Sequence, residues 1–498
     1  MQNRNGQPNI LATRENTEQM YMRPDDPRGG APYIFFPAND QVPKATVIRA
    51  IAVNAKGEHS GVLTKTYFIG DNLAHYANHR VISLVTDPYN LIDTHYGIMV
   101  RGTPDKFWPD YNFHMKGQAW EREAYLELFE GDEHSRSVKL STGVGIRVRG
   151  GWSRNWGQKS FNVYFREEYG INNLKNYHLI PGAVKADGTP VETYKSFMLR
   201  NGGNDIEHTK FYDVFIQDLL SDRAFTTQAA SPCILYLNGE YWGPYNLQER
   251  YSDNHTEYKY GVNRNNVISY DNGELDDGAA VDEALFWEMM DMRFSDMSVP
   301  ANYAAFCALF DIDNFVDYWA AQIYICDDDW PQNNYRVWRA RNVEPGNPYG
   351  DTKWRWQMFD TEYALGIFVS GWPEDAIDKI LNGYYKDHHN NQLFKALLAN
   401  EDFCRKFVNT MMDLYNVNFH PDTFGPLLDK YAAIYKPLMD GYFARWSEPK
   451  AGIYQEKVDD ARYYLTNIRD AMVYNYLPIY FSGDYAGIAG IGNIEFRR

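Results

Sequence analysis

Two segments of the chain place oxygen-bearing side chains where they could share chemistry. In ICDDDWPQNNYRVWR, residues 325–339, an apolar segment ends in three consecutive aspartates, and Asn334 follows Asp329 by five positions. A carboxylate there could accept the proton of a substrate hydroxyl, while a neutral amide oxygen could hold Mg²⁺ without adding charge repulsion. The pattern is equally typical of a turn in which Asp327 and Asp328 are solvated and Asp329 is a cap.

The second acidic segment is WRWQMFDTEYALG, residues 354–366. Its alternating aromatic residues predict a strand that ends at Asp360, and Glu362 follows two positions later. Two hard oxygen ligands at one strand end suit Mg²⁺ or Mn²⁺. The alternative is a β-turn acid with an exposed neighbour, and this interpretation fits Glu362 better than Asp360.

Binding of phosphate groups by so acidic a chain requires a basic element, and residues 144–165 supply one. In VGIRVRGGWSRNWGQKSFNVYF, Arg147 and Arg149 share one strand face, glycines punctuate the turn, and Lys159 begins the returning strand. Glycine-rich turns let backbone N–H groups approach anions. An ordinary hairpin with an exposed basic face explains the same residues.

The surrounding sequence predicts the elements that must position these motifs. Short strands separated by Gly, Asp and Asn turns over residues 81–166 predict a mostly antiparallel sheet. A helix is predicted over residues 208–220, with Asp205 as its cap, and a hairpin with an Asn-Gly turn follows near residue 238. Beyond residue 301 the pattern is helical. A β-rich half followed by an α-rich half predicts an α+β fold with two lobes.

The two ends of the chain show other patterns. Residues 1–30 are polar, with Pro and Gly near their end, and predict a flexible arm. A hairpin pattern then resembles the last strands of chitobiase C-terminal-like or fibronectin-like modules, so residues 31–78 are predicted to form a partial β-sandwich module. We expect the main domain over residues 81–482 and a C-terminal tail over residues 483–498.

Composition excludes several classes of protein. The chain has 498 residues and a net charge of −17, so nucleic acid and anionic membranes would repel it. It contains no apolar run of about 18 residues, the length that a spanning helix needs. The four cysteines include no CxxC pair, which disfavours a zinc ribbon. The acid-rich segment 271–283 lacks the EF-hand spacing and predicts a solvated loop.

Five motifs in order resemble a known family. They are RVRGGWSRNWGQKSF, then FMLRNGGND at 197–205, LYLNGEYWGPYNLQER at 235–250, DDDWPQNN and FDTEYALG. Together they are similar to the CotH family of atypical, spore-coat-type protein kinases, over most of residues 81–450. The resemblance implies a divergent bilobal protein-kinase-like fold, with a β-rich N-lobe and a helical C-lobe. It also implies transfer of the γ-phosphoryl group of ATP to Ser or Thr of proteins.

The resemblance implies a role for each acidic residue. Asp329 would be the catalytic Asp, because its spacing to Asn334 is that of the kinase loop H-R-D-x-x-x-x-N. Asn334 and Asp360 would be ligands of Mg²⁺ or Mn²⁺. Glu362 would be a further metal ligand at a position where the family more often has Asp.

The basic and hinge residues have implied roles as well. Lys159 would contact the nucleotide phosphates, with Arg149 and Ser153 on the same turn. Gln248 and Glu249 follow a strand where a kinase hinge would meet adenine. Other residues stay open: the acid that pairs with Lys159 is Asp205, Glu207 or Asp213, and Arg200 either binds phosphate or anchors the helix.

Partners and location follow from the same resemblance. We expect a nucleotide and a protein substrate with Ser or Thr acceptors as partners, and a location outside the cell, on its surface or in a spore coat. Two other functions stay open: a catalytically weak kinase-like domain that serves as a surface scaffold, and a metal-dependent hydrolase that uses the same acids. Binding of ATP would discriminate against the hydrolase.

Overall fold

The computed structural model describes the chain in several ranges. They are residues 11, 13–29, 34–37, 41–69, 76, 78–132, 135–368, 374–447 and 452–481. Within these ranges, none of the helices combines the length and the apolar character needed to cross a membrane. All four cysteines lie in these ranges and are free thiols, three of them buried.

Strands occupy the N-terminal half and the middle of the chain, and helices fill most of the remainder. The strands are β1 Thr46–Ala50, β2 Leu63–Tyr67, β3 Arg80–Val85, β4 Arg122–Gly131, β5 Arg136–Arg149, β6 Ser160–Tyr164, β7 Ser196–Arg200, β8 Ala230–Leu237, β9 Glu240–Glu249, β10 Val267–Asp271, β11 Glu274–Asp277, β12 Arg336–Ala340 and β13 Arg355–Gln357. The α-helices are α1 Arg14–Gln19, α2 Pro88–Ile92, α3 Tyr212–Leu219, α4 Asp253–Tyr260, α5 Glu283–Met290, α6 Pro300–Leu309, α7 Ile312–Ile325, α8 Ala376–Asn382, α9 His389–Leu397, α10 Glu401–Asn416, α11 Pro421–Trp446, α12 Ile453–Ala471 and α13 Leu477–Phe481. This content confirms the α+β class.

A closed barrel of seven strands forms the N-terminal half, in the order β3-β4-β5-β6-β7-β9-β8. Neighbouring strands are antiparallel except β3 and β8, which pair in parallel and close the barrel. The antiparallel sheet predicted over residues 81–166 is confirmed by β3 to β6. The closure into a barrel was not predicted, because it depends on a pairing between strands that are far apart in the chain.

Alternation along β5 separates the core from a polar face. Val144, Ile146 and Val148 are buried in the hydrophobic core. Successive side chains of a strand point to opposite faces, so Arg147 and Arg149 project from the other side. The barrel thereby presents a cationic face towards the second half of the molecule.

A second sheet belongs to the helical half, in the antiparallel order β11-β10-β12-β13. The helical pattern predicted beyond residue 301 is confirmed by α6 to α13, and aromatic residues of α7 pack against β13: Phe315 and Tyr318 both lie against Trp356. The two acidic motifs follow α7 and β13, so they begin at the ends of two elements that pack against each other. The predicted helix over residues 208–220 is confirmed as α3, and Asp205 accepts hydrogen bonds from the backbone N–H groups of Thr209 and Tyr212.

The hairpin predicted in front of the main domain is confirmed as β1 and β2. It is fastened to the barrel by hydrogen bonds from Lys65 Nζ to Glu127 Oε1 at 2.9 Å and between the hydroxyls of Thr66 and Ser83 at 2.9 Å. Four of the five residues of β1 are exposed. The assignment of residues 31–78 to a partial β-sandwich module stays a prediction.

The N-terminal segment differs from the flexible arm predicted over residues 1–30. Residues 13–29 contain α1, which Thr13 caps, and they insert Met20 and Tyr21 into the core. The prediction is wrong for this part, because buried apolar side chains fix the segment against the barrel. The tail predicted over residues 483–498 lies outside the described residues.

Removal of one aromatic side chain should test the packing that holds α7. Phe315 is completely buried and contacts five aromatic rings, those of Phe306, Phe310, Trp319, Trp356 and Phe403. We expect Phe315→Ala to lower the free energy of unfolding by about 3–5 kcal/mol, because it removes buried area and leaves a cavity. Urea denaturation would measure the change.

Tyr384 provides the matched control, since its side chain is 93% exposed. Tyr384→Ala should change the free energy of unfolding by less than about 0.5 kcal/mol. Equal effects of the two substitutions would contradict the described packing of α7.

Candidate active site

The two acidic motifs meet beyond the ends of α7 and β13. Asn334 Nδ2 lies 3.4 Å from Asp329 Oδ2 and 3.2 Å from the backbone oxygen of Asp360. Asn334 and Asp360 both adopt left-handed backbone conformations, with φ of 54° and 60°. Asn and Asp tolerate this region better than most residues, and such conformations cluster at functional sites. One amide therefore bridges the two motifs.

The three consecutive aspartates have different surroundings. Asp327 is 4% exposed and accepts a hydrogen bond from the backbone N–H of Asp329, but its Oδ2 has no hydrogen-bond partner among the described residues. Burial raises its pKa well above the usual range, and neighbouring carboxylates add to the effect. Asp328 pairs with Lys379 at 2.5 Å. The interpretation of Asp327 as a solvated turn residue is wrong, because the side chain is enclosed.

Asp329 lies between exposed and buried. Its Oδ1 accepts a hydrogen bond from Asn333 Nδ2 at 3.0 Å, and its Oδ2 faces Asn334. Burial and the negative charge of Asp360 raise its pKa, and the two asparagine amides act in the opposite direction without reversing the rise. A carboxylate with a raised pKa, held by amides in one orientation, can act as a general base.

Arg200 at the end of β7 is the central cation of the site. Its Nε lies 2.7 Å from Glu362 Oε1, and its Nη2 lies 2.5 Å from Asp360 Oδ1. The same Nη2 also contacts Glu362 Oε2, so both oxygens of Glu362 accept hydrogen bonds from Arg200. Only 7% of the Arg200 side chain is exposed. One strand of the barrel therefore holds the segment that carries Asp360.

The pKa values of Glu362 and Asp360 shift in opposite directions. Burial raises the pKa of Glu362 well above its usual range, and the charges of Asp213 and Asp360 act in the same direction. Burial would also raise the pKa of Asp360, but Arg200 and a hydrogen bond with Glu362 lower it overall. Arg200 thus favours the ionised form of Asp360, and Glu362 anchors Arg200. Both oxygens of Glu362 accept hydrogen bonds from Arg200, so this arrangement gives no support to the predicted role of Glu362 as a metal ligand.

Asp213 links three elements at the back of the site. From α3, its Oδ1 accepts hydrogen bonds from the backbone N–H and the hydroxyl of Thr361, both at 3.0 Å. Its Oδ2 accepts from Gln248 Nε2 on β9 at 2.9 Å and lies 4.0 Å from Arg200 Nε. Of the three acids that the sequence left open, Asp213 is therefore the partner of a site cation, and that cation is Arg200.

Lys159 is buried, and backbone oxygens hold its ammonium group. Its Nζ donates hydrogen bonds to the backbone oxygens of Met20, Arg154 and Trp156, and it lies 3.9 Å from the centre of the Phe113 ring. Burial lowers its pKa well below the usual range. Because its three donor positions are used by the turn and the N-terminal segment, this geometry gives no support to the predicted phosphate contact.

Arg149 lies on β5, two strands from Arg200 and on the same face of the barrel. Burial and the charge of Arg200 lower its pKa to about 10, while Asp360 acts in the opposite direction. Its side chain forms no hydrogen bond or ion pair with any described residue, so its guanidinium is available to an anion. The adjoining turn needs glycine at Gly150, where φ is 117° and a Cβ would lie 2.3 Å from the hydroxyl of Ser153. Ser153 is half-buried in that turn.

The acid-rich segment 271–283 is not a solvated loop. Its first part forms β10 and β11, and Arg336 on β12 pairs with Asp276 at 2.7 Å, Asp277 at 3.1 Å and Asp271 at 3.7 Å. The charge of Asp271 also acts to raise the pKa of Arg149, and the charge of Arg149 acts to lower that of Asp276. The sequence missed this arrangement because Arg336 lies about 60 residues further along the chain.

The two residues predicted at the hinge have separate environments. Gln248 is fully buried; its Nε2 contacts Asp213, and its Oε1 has no hydrogen-bond partner among the described residues. Glu249 instead joins a cluster with His255 at 3.4 Å and Lys259 at 3.6 Å. Gln248 therefore contacts Asp213 in the site, whereas Glu249 belongs to a separate ion cluster with His255 and Lys259.

A divalent cation is compatible with the donor atoms of this site. Asp329, Asn334 and Asp360 bring together hard oxygen donors, and the buried Asp327 Oδ2, which has no hydrogen-bond partner among the described residues, is a further carboxyl oxygen beside Asp329. In the described ranges, no group of three or more His, Cys, Asp or Glu side chains is arranged to hold a metal ion. A divalent cation at this site would therefore be held by carboxylate and amide oxygens of the protein, together with phosphate oxygens of a ligand.

A comparison with protein families finds a match that spans the site residues. The family model described as CotH kinase protein matches residues 146–472, which is about two thirds of the chain. Every residue placed in the site lies in that range. No curated protein matches the chain.

The Glu249 cluster makes stability depend on pH. Burial alone would raise the pKa of Glu249, but Lys259 and His255 outweigh it and lower the pKa from 4.5 to about 2. A carboxylate with a lowered pKa stabilises the fold above the unfolded value, and this contribution is lost as the pH falls towards 2. We expect the stability advantage of the wild type over Glu249→Gln to shrink by about 2–3 kcal/mol from about pH 5 to about pH 2.

Urea denaturation across this pH range would measure the difference. Glu288→Gln, an exposed substitution on α5, is the control and should show a constant difference from the wild type. A constant difference for Glu249→Gln would contradict the assigned ion cluster.

Proposed function

Since the chain belongs to the CotH kinase protein family, we propose that it transfers the γ-phosphoryl group of ATP to Ser or Thr hydroxyls of secreted, surface or spore-coat-type proteins. The family supports a kinase-like function, while the nucleotide, the acceptor and the location belong to the proposal. The observation that supports it most is the position of Asn334, which lies within hydrogen-bond distance of both Asp329 and the Asp360 backbone, beside the cation Arg200.

The order of the site residues along the chain also supports phosphoryl transfer. Protein kinases have a glycine-rich hairpin, then a strand lysine paired with a helix glutamate, then the catalytic loop, and then a metal-binding Asp. Here Gly150 marks the hairpin, Arg200 on β7 takes the place of the lysine, and Asp213 on α3 that of the glutamate. Asp329 and Asp360 follow in the same order. We propose a bilobal arrangement on this basis.

In this mechanism Asp329 receives the proton of the acceptor hydroxyl, and Asn333 and Asn334 hold its carboxylate in one orientation. Bound Mg²⁺ or Mn²⁺ supplies charge neutralisation on the phosphates. Asn334 and Asp360 are the residues that would hold it. Such a reaction depends mostly on positioning and electrostatics, so the rigidity of these side chains matters more than covalent chemistry.

The basic residues would bind the phosphates. Arg149 carries a guanidinium with no partner among the described residues, on the face that also bears Arg200. Arg200 is fixed by Glu362 and Asp213, so its remaining donors keep one direction. A planar guanidinium suits bidentate binding of phosphate oxygens.

Substitution of the two site acids should abolish transfer. We expect Asp329→Asn and Asp360→Asn to lower the rate of phosphate incorporation by about a hundredfold or more, because a positioned base alone contributes that much. The assay is incorporation of label from ATP, with Mg²⁺ or Mn²⁺, into the protein itself and into a Ser-rich acceptor. Asp328→Asn is the matched control, since Asp328 pairs with Lys379 and should leave the rate nearly unchanged.

Two outcomes of this assay would contradict the proposed kinase activity at these acids. Incorporation that survives both substitutions would exclude these acids as the catalytic site. A nucleotide-induced thermal shift without any incorporation would favour the surface scaffold.

Substitutions of Arg149 and of Lys159 should distinguish an effect on ATP binding from an effect on the free energy of unfolding. We expect Arg149→Gln to weaken ATP binding about tenfold with little change in unfolding free energy, because it removes a phosphate contact. We expect Lys159→Met to lower the free energy of unfolding by about 1–3 kcal/mol, because it leaves buried carbonyls without a donor, and to keep ATP affinity in the folded fraction. Titration calorimetry and urea denaturation measure the two quantities. Loss of ATP affinity at unchanged stability in Lys159→Met would restore the phosphate contact implied by the family.

A further inference from the structure

Two glutamines donate hydrogen bonds to the carboxylate of Asp213 behind the candidate active site. Gln217, one turn further along α3, donates from Nε2 to Asp213 Oδ1 at 2.8 Å. Gln248 on β9 donates to Asp213 Oδ2 at 2.9 Å. Thr361 adds the hydrogen bonds of its backbone N–H and its hydroxyl, both to Oδ1. Asp213 and Gln217 are both completely buried, so these neutral donors replace the water that an exposed carboxylate would bind.

The orientation of the Gln217 amide is fixed from its other end. Its Oε1 accepts a hydrogen bond at 2.6 Å from the backbone N–H of Gln228, just before β8. An amide has one acceptor end and one donor end, so Nε2 must face Asp213. Gln228 is held in turn, because its Nε2 donates to the backbone oxygen of Glu249 on β9 at 2.7 Å. The barrel therefore fixes a donor at one defined position beside Asp213.

These donors determine which group Asp213 binds. Its Oδ2 lies 4.0 Å from Arg200 Nε, which is too long for a hydrogen bond. A carboxylate with no other donors would close this gap, because a charge-assisted hydrogen bond is about twice as strong as one between neutral groups. Arg200 would then have fewer donors for Glu362 and Asp360, which it binds at 2.7 and 2.5 Å. The neutral donors instead keep Asp213 on Thr361, the residue between those two acids.

We propose that Gln217 is a positioning residue of the site, because it keeps the carboxylate of Asp213 on Thr361. Arg200 is thereby left to the segment that carries Asp360. The consequence for phosphate transfer rests on the proposed function, in which Asp360 would hold the metal ion. The placement of Thr361 can be measured without any reaction. Gln217 touches neither substrate nor metal ion in this assignment and acts only through Asp213.

The variant Gln217→Glu makes this role depend on pH. A protonated carboxyl can donate to Asp213 as the amide does, whereas an ionised one has no donor and repels it. Burial and a neighbouring carboxylate both raise the pKa of a carboxyl, to about 8–9 for a fully buried glutamate, so the introduced group should lose its proton between about pH 6 and about pH 9. The other charged groups around the groove that Gln217 lines are Lys185, Asp218, Arg223, Lys259, Arg355 and Lys430. All of these except Lys185 have an ion-pair partner.

Hydrogen exchange of the full chain reports the position of Thr361. Its backbone N–H donates to Asp213, so its exchange is slow while the carboxylate stays in place. We expect Gln217→Glu to match the wild type over residues 359–363 at about pH 6 and to exchange about tenfold faster at about pH 9, where the introduced carboxyl is ionised. Gln217→Met has no donor at either pH and should exchange faster at both. Mass spectrometry would measure each variant against the wild type at the same pH.

Asn418→Asp is the matched control at the other end of α3. Asn418 is also buried, and its Nδ2 donates to Asp222 Oδ1 at 2.7 Å. The same exchange of an amide for an acid beside a carboxylate therefore affects stability without touching Asp213. This variant should keep wild-type exchange over residues 359–363 at both pH values. Equal effects of the two substitutions, or an effect of Gln217→Glu that does not change with pH, would indicate a merely structural role and overturn the assignment.

Phosphate transfer distinguishes this inference from the proposed function. Per folded protein, the rate for Gln217→Glu relative to the wild type should fall about tenfold between the two pH values, because a displaced group slows a reaction that depends on positioning. A wild type that transfers no phosphate contradicts the proposed function, and the exchange result alone then decides whether Gln217 positions Thr361. An unchanged ratio of rates in an active enzyme with faster exchange would overturn the role of Gln217 in the reaction.

Discussion

The buried ion cluster around Arg200 is the interaction on which the site depends. The guanidinium lies between carboxylates from two parts of the chain: Asp213 on α3, and Asp360 and Glu362 after β13. Removal of one member of a buried charge cluster leaves an uncompensated charge and is strongly destabilising. The barrel and the helical half are therefore held in a fixed relation at the point where both acidic motifs meet.

This cluster also explains how an acidic chain can present cations to a phosphate ligand. The net charge of −17 describes the whole surface, but the barrel face collects Arg149 and Arg200 from two strands. Arg200 is neutralised and oriented by its carboxylates, whereas Arg149 has no such partner among the described residues. The two arginines thus differ: Arg200 positions the acidic segment and would offer only its remaining donors to phosphate, whereas the whole guanidinium of Arg149 is available to an anion.

Local patterns predicted much of the fold and part of the site. Helical spacing identified α3 and α7, the hairpins were predicted from alternation and turn residues, and the spacing of Asp329 and Asn334 indicated a shared site. The fate of the lysine in the glycine-rich hairpin could not be predicted. Lys159 has the residue type and position of a phosphate ligand, but the backbone oxygens that bind it include that of Met20, 139 positions away. The acid-rich segment 271–283 was misinterpreted for the same reason.

The sequence by itself determined the order of the motifs, the types of the elements that carry them, and the family, because these depend on neighbouring residues. Only the tertiary structure decided which charge faces which. Arg200 binds Glu362 across 162 positions, and the barrel closes through the parallel pair of β3 and β8. Charges find partners according to burial and distance in space, and spacing along the chain contains neither quantity.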